Sequence, residues 1–177
     1  NNLLPLQPDV DEIIYLIDLY DGANNHTESN LTKQIKMAGR KVKSFQIDKS
    51  DSLVVADYIL DQIPKDALVL LNAFANPVEH KDEIYLPEVE AIFINKLIKK
   101  TNRMIITSFG SPYLIQDFKD APVYICAYKG STLLQKAVGN ALIGNSNISG
   151  ILPVTIPGVA KVGDGINVVG KQWIKRD

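Results

Sequence analysis

The chain has 177 residues, 46% of them hydrophobic and 22% charged, with 19 Lys plus Arg against 20 Asp plus Glu. That length suits one domain with a real core, and the apolar content excludes disorder. A net charge of −1 gives no electrostatic case for a nucleic-acid or membrane-surface partner, and no apolar run approaches the ~20 residues that span a bilayer. The lone cysteine, Cys126, cannot form an internal disulfide, so packing must supply stability. The sequence starts NNLLPL with no initiator Met and no signal peptide, which reads as a piece of a longer protein.

In chain order, short apolar runs predict strands over 12–18 (EIIYLID), 42–48 (VKSFQID), 67–74 (ALVLLNAF), 103–108 (RMIITS) and 122–128 (PVYICAY). Several are almost continuously apolar, as parallel strands covered on both faces are. Helices are expected between and after them, at 27–40, 50–63, 87–100, 112–118 and 131–143. In the second, Leu53, Ala56, Leu60 and Ile63 would form the buried face; in the last, Leu133, Leu134, Ala137, Val138, Ala141 and Leu142 would, with Gly144 as C-cap. Pro87 and Pro112 suit first helical turns, Pro112 behind an N-capping Ser111. The alternation implies an α/β fold, a three-layer sandwich with a mostly parallel sheet of five or six strands flanked by helices. A sixth strand at 149–157 (SGILPVTIP) contains Pro153, which argues for a sheet edge or an extended strap. Residues 1–157 are therefore expected as the sandwich. Residues 158–177, with glycines at 158, 163, 165 and 170 and no helical period, are expected as a loop and tail packed on it.

Chemistry-bearing motifs are sparse. His26 and His80 both fall in polar loops, and neither belongs to an HExxH or CxxC arrangement, so no metal site and no cofactor is expected. Cys126 sits in an apolar strand and reads as a small packed side chain. Gly139 to Ser146 (GNALIGNS) has phosphate-loop spacing, but Asn145 replaces the lysine and the run ends a helix instead of opening one. No GxGxxG follows the first strand, so a dinucleotide site has no support. Sequons at Asn25, Asn30 and Asn147 matter only in a glycosylating secretory pathway. The loop after the third strand, 72–86, carries Glu79, His80, Asp82 and Glu83 at the sheet edge where open parallel sheets bind ligands. It supplies one candidate carboxylate of the two that glycoside hydrolysis needs.

Four segments in order, NNLLPL (1–6), SFGSPY (108–113), AYKGS (127–131) and SGILPVTIP (149–157), resemble the C-terminal α/β sandwich domain of glycoside hydrolase family 3. This is the family of β-glucosidases and β-N-acetylhexosaminidases, and the resemblance covers nearly the whole chain. It implies a partner, an N-terminal TIM-barrel domain of the same parent chain that binds the carbohydrate substrate and supplies the aspartate nucleophile of a retaining mechanism. It implies that the isolated chain does not hydrolyse glycosides. In the β-glucosidase branch a loop of this domain contributes the acid/base glutamate, which makes Glu79 and Glu83 the catalytic candidates. The SFGSPY turn is more similar to the N-acetylglucosaminidase branch, where a barrel histidine takes that role. His80, Gly110, Ser111, Lys129, Gly130 and Ser131 are then candidates for the edge that meets substrate or the other domain. The resemblance is to bacterial enzymes, many of them exported to the periplasm. The competing reading is a stand-alone flavodoxin-like signalling or ligand-binding module, with Asp18, Ser108 and Lys129 at the ends of strands. Against it, Asn72 stands where an acceptor aspartate belongs.

Overall fold

Every residue of the run LVLLNAF is buried, the condition of a strand covered on both faces. In the computed structural model, which describes residues 3–6, 11–20, 27–48, 50–74 and 86–171, that run is the central strand of the sheet. The strands β1 (Ile13–Tyr20), β2 (Lys41–Asp48), β3 (Leu68–Phe74), β4 (Met104–Ser108) and β5 (Val123–Cys126) lie in the order β2-β1-β3-β4-β5. All four pairings are parallel. Helices α1 (Asn30–Met37) and α4 (Thr132–Leu142) cover one face. Helices α2 (Leu53–Asp61) and α3 (Glu88–Lys100), with a short 3-10 helix (Pro112–Asp117), cover the other. The chain is thus a three-layer α/β sandwich.

The two faces are built by strict alternation along each strand. On β1, Ile14 and Leu16 face α1 and α4, while Ile17 and Leu19 face α2 and α3; β3 repeats this with Leu68 and Leu70 against Val69 and Leu71. The edge strand β2 is more polar. Its Lys43 extends over the Phe45 ring, 5.4 Å from the centroid.

Two helix faces differ from the expected ones. In α2 the buried residues are Ala56 and Ile59, followed by Ile63, whereas Leu53 is exposed. In α4 the buried face is Gln135, Val138, Gly139 and Leu142, one position round from expectation, and Leu133 is exposed. The cause is the neighbouring helix. Gly139 packs where a Cβ would lie 2.3 Å from the Gln34 side chain, and the Gln135 amide oxygen accepts from the Asn30 N–H at 2.8 Å, satisfying an otherwise unpaired donor at the start of α1. Helix α4 closes as a Schellman motif. Gly144 (φ 81°) donates to the Ala141 carbonyl at 3.1 Å and Asn145 to the Asn140 carbonyl at 2.8 Å. The phosphate-loop-like run therefore caps carbonyls at a helix end, where an anion has nothing to bind.

Residues 149–157 do not join the sheet. Ile148 bridges Val168 and Ile156 bridges Ala160, both antiparallel, so 148–168 forms an irregular hairpin. It follows α4 and buries Ile156 on the opposite face of the sheet, in the cluster containing Leu114, Ile115 and Phe118. This is the strap that Pro153 pointed to, and residues 158–168 are its tip and returning arm.

Candidate functional site

The carboxyl ends of the strands gather the candidate residues. After β4 the chain turns through Phe109, Gly110 and Ser111. The Ser108 hydroxyl donates to the Ser111 carbonyl at 2.8 Å, and the Ser111 hydroxyl accepts from the Tyr113 N–H at 3.2 Å to cap the 3-10 helix. Both Gly110 and Ser111 are buried. After β5 the Lys129 N–H donates back to the Ala127 carbonyl at 2.7 Å, a three-residue turn with Tyr128 at its centre. Tyr128 has φ 62°, a left-handed value that costs a non-glycine residue about 1–3 kcal/mol, and β5 ends before it, at Cys126. Tyr128 is 43% exposed, and Lys129 is exposed beside it. Gly130 has another reason to be glycine: a Cβ there would lie 3.0 Å from the Phe74 ring. Ser131 is the N-cap of α4. Gly110, Ser111, Lys129, Gly130 and Ser131 thus sit together along the edge formed by β4 and β5. Glu79, His80, Asp82 and Glu83, like His26, lie outside the described residues.

Beneath this edge is a polar row that no motif indicated. The parallel register places Asp18 beside Asn72 and Asn72 beside Thr107, all on the α1/α4 face and all buried. The Asn72 amide donates to Asp18 at 2.8 Å, and the Thr32 hydroxyl, at the start of α1, donates to the other carboxylate oxygen at 3.4 Å. One step further along the strands, Tyr20, Phe74 and Phe109 stack as a ladder. Their centroids are 4.9 and 4.7 Å apart and their planes within 8° and 5° of parallel. The ladder lids the polar row at the mouth of the sheet. A charged residue at the end of an otherwise apolar strand was the only sequence signal for the row.

Electrostatics separate the structural groups from reactive ones. Burial pushes the Asp18 carboxyl above its ordinary value, and the hydrogen bonds from Asn72, Ser29 and Thr32 pull it back only in part. Burial also pushes the Cys126 thiol up to about 11, so it is protonated at neutral pH and unsuited to nucleophilic work. The same cause raises Tyr124, whose hydroxyl lies 3.3 Å from the Pro112 carbonyl. Among the described residues no three His, Cys, Asp or Glu side chains gather as a metal site. No described helix is long and apolar enough to cross a membrane.

No family model matches the sequence, and no curated protein matches it. Solved structures do. A β-glucoside phosphorylase, BglX, matches with a TM-score of 0.59 at 18% identity, covering 82% of this chain and 26% of its own. A glycoside hydrolase family 3 β-N-acetylglucosaminidase from Paenibacillus matches at 0.55 and 16% identity, covering 75% of this chain and 25% of its own. A fungal multi-domain family 3 β-N-acetylglucosaminidase matches at 0.61 and 15% identity, covering 93% of this chain and 18% of its own. At these identities the likeness is one of fold. The chain has the fold of a part of family 3 structures and spans about a quarter or less of their length.

Proposed function

We propose that this chain is the α/β sandwich domain of a family 3 glycosidase acting on β-linked sugars, a supporting domain for a sugar-cleaving barrel elsewhere in the parent polypeptide. The observation that carries the reading is the agreement of two signals: the four sequence segments, and the fold shared with about a quarter of the length of the matched structures. The thin chemistry of the described residues fits it, since Cys126 is protonated and Asp18 is sealed beneath aromatic rings. Within this reading residues 158–171 belong to the same domain, and the edge of Gly110, Ser111, Lys129, Gly130 and Ser131 is the part offered to sugar or barrel. The SFGSPY turn favours the β-N-acetylhexosaminidase branch over the β-glucosidase branch, which leaves Glu79 and Glu83 without a catalytic role.

The test is an assay of the isolated chain and of the longer polypeptide on aryl β-glucosides and β-N-acetylglucosaminides, each with and without inorganic phosphate, because hydrolytic and phosphorolytic enzymes share this fold. Turnover is expected from the longer polypeptide alone. Robust turnover by the isolated chain overturns the reading. Glu79→Gln and Glu83→Gln in the longer polypeptide are expected to keep most activity; a large loss from either transfers the reading to the β-glucosidase branch. The sheet order 2-1-3-4-5 is also that of flavodoxin-like modules, which keeps a signalling role as the second reading. Labelling by a small phosphodonor would favour it, although Asp18 is buried against Asn72.

A further inference from the structure

We propose that the hairpin of residues 148–168 is a docking arm, covered in the native polypeptide by an apolar surface of the domain that precedes this chain. The inference rests on the reading of the chain as one domain of a longer glycosidase, and it names the surface by which that domain is held.

The two arms of the hairpin differ. Ile148 and Val168 exchange both backbone hydrogen bonds, at 2.9 and 2.8 Å, and the Leu152 N–H donates to the Asp164 carbonyl at 2.8 Å. The outgoing arm is anchored, Leu152 packing against the core and Ile156 lying within it. The returning arm is not: every residue of 161–167 is exposed. Yet its composition is not that of a solvated loop. Val162, Ile166 and Val169, with Ile151 opposite, are between 62% and 77% exposed, an aliphatic concentration that a surface segment has no reason to carry unless something covers it. The arm is also built to a close fit. A Cβ on Gly165 would lie 2.4 Å from the Gly150 carbonyl oxygen, and one on Gly170 would lie 2.7 Å from that of Gly144, so only glycine lets the two sides approach.

The incoming chain points to the occupant. The Leu6 N–H donates to the Leu142 carbonyl at 2.7 Å, and at Gly144 a Cβ would meet both Pro5 and the Lys171 backbone at 3.1 Å. The entering segment is therefore clipped against the root of the hairpin, where the exposed Val169 stands two residues before Lys171. The β-glucoside phosphorylase and the Paenibacillus enzyme run to about three times the length of this chain, which is ample for a further domain. The only charges of 161–169 are Lys161 and Asp164, which cancel, so the complementary surface is apolar and uncharged.

Maleimide labelling of cysteines introduced into the longer polypeptide, in a Cys126→Ala background, tests this. Val54, on α2 by the opposite edge of the sheet, is 77% exposed, as is Ile166, and provides the reference. Ile166→Cys and Val162→Cys are expected to react with a maleimide at least tenfold more slowly than Val54→Cys. Equal rates overturn the proposal, and so does slow labelling that becomes fast on dilution, which would make the cover a second copy. Hydrogen exchange of the unsubstituted polypeptide gives a readout free of folding defects, taken at the amides of 165–167 because those of 161–164 already donate within the hairpin: protection over 165–167 supports the docking, and exchange at unprotected rates overturns it. The glycosidase assay on the same preparation keeps the two ideas apart. Activity with a freely labelled arm removes the docking alone, whereas a protected arm without glycosidase activity leaves the docking and removes the sugar chemistry.

Discussion

The two faces of the sheet solve the same burial problem differently. Towards α2 and α3 the cover is mostly aliphatic and aromatic, from Ile17 and Leu71 to Phe93, Ile106 and Phe118, with Glu90 of α3 and Ser108 of β4 among its few buried polar groups. Towards α1 and α4 it is interrupted by Asp18, Asn72 and Thr107 on the strands and by Gln135 on the helix. Burial of the first face stabilises the fold in proportion to apolar area. The second also selects one arrangement, because the hydrogen bonds from Asn72 and Thr32 to Asp18 and from Asn30 to Gln135 form only when α1, α4 and the strands stand in one register.

Substitutions separate the two contributions. The largest effect belongs to the apolar face: Leu71→Ala is expected to cost about 2–5 kcal/mol, read from urea unfolding midpoints. On the polar face Asp18→Ala leaves the Asn72 amide and the Thr32 hydroxyl without their acceptor, at an expected cost of about 1–3 kcal/mol. A smaller loss than that would mean that water enters beneath the aromatic ladder. Asp18→Asn tests the charge separately. The folded carboxyl titrates above its ordinary 3.8, so between those two values the native state holds a proton that the unfolded chain has released. The contribution of Asp18 is full below 3.8 and is lost as pH rises through the raised value. The Asn variant is therefore expected to flatten the fall of stability with rising pH over that window; an unchanged slope assigns it to other groups. Gln135→Ala removes the acceptor for the Asn30 N–H and is expected to cost about 1 kcal/mol. Smallest is the surface pair of Lys96 and Asp57, at 2.6 Å and half exposed, where Lys96→Ala is expected to change stability by no more than about 0.5 kcal/mol.

The apolar face was the legible one. Parallel strands covered on both sides have to be runs such as LVLLNAF and RMIITS, so all five strands could be placed to within two residues from composition alone. Helix faces were harder wherever a neighbour overrode hydrophobicity. Gln135 is buried because α1 needs an acceptor, and Leu133 is exposed because α4 turns to provide it. Nothing in the α4 sequence itself records that demand. At the site, the turns after β4 and β5 were legible from Gly110, Ser111, Gly130 and Ser131. The left-handed Tyr128 was not, since neither residue type nor spacing marks a strained tyrosine. Asp18, Asn72 and Thr107 are widely separated in sequence, and only the pairing register makes them one row.

The sheet has two edges, and they meet solvent on different terms. The hairpin buries Ile156 against the 3-10 helix that precedes the edge strand β5, whereas the other edge strand, β2, carries Lys41 and Lys43. A second molecule adding a strand there would stack its own lysines against these and strip water from their ammonium groups, an outcome that grows less favourable with each molecule added. Replacing both lysines with valine is therefore expected to promote edge-to-edge association, read as a rise in light scattering with concentration.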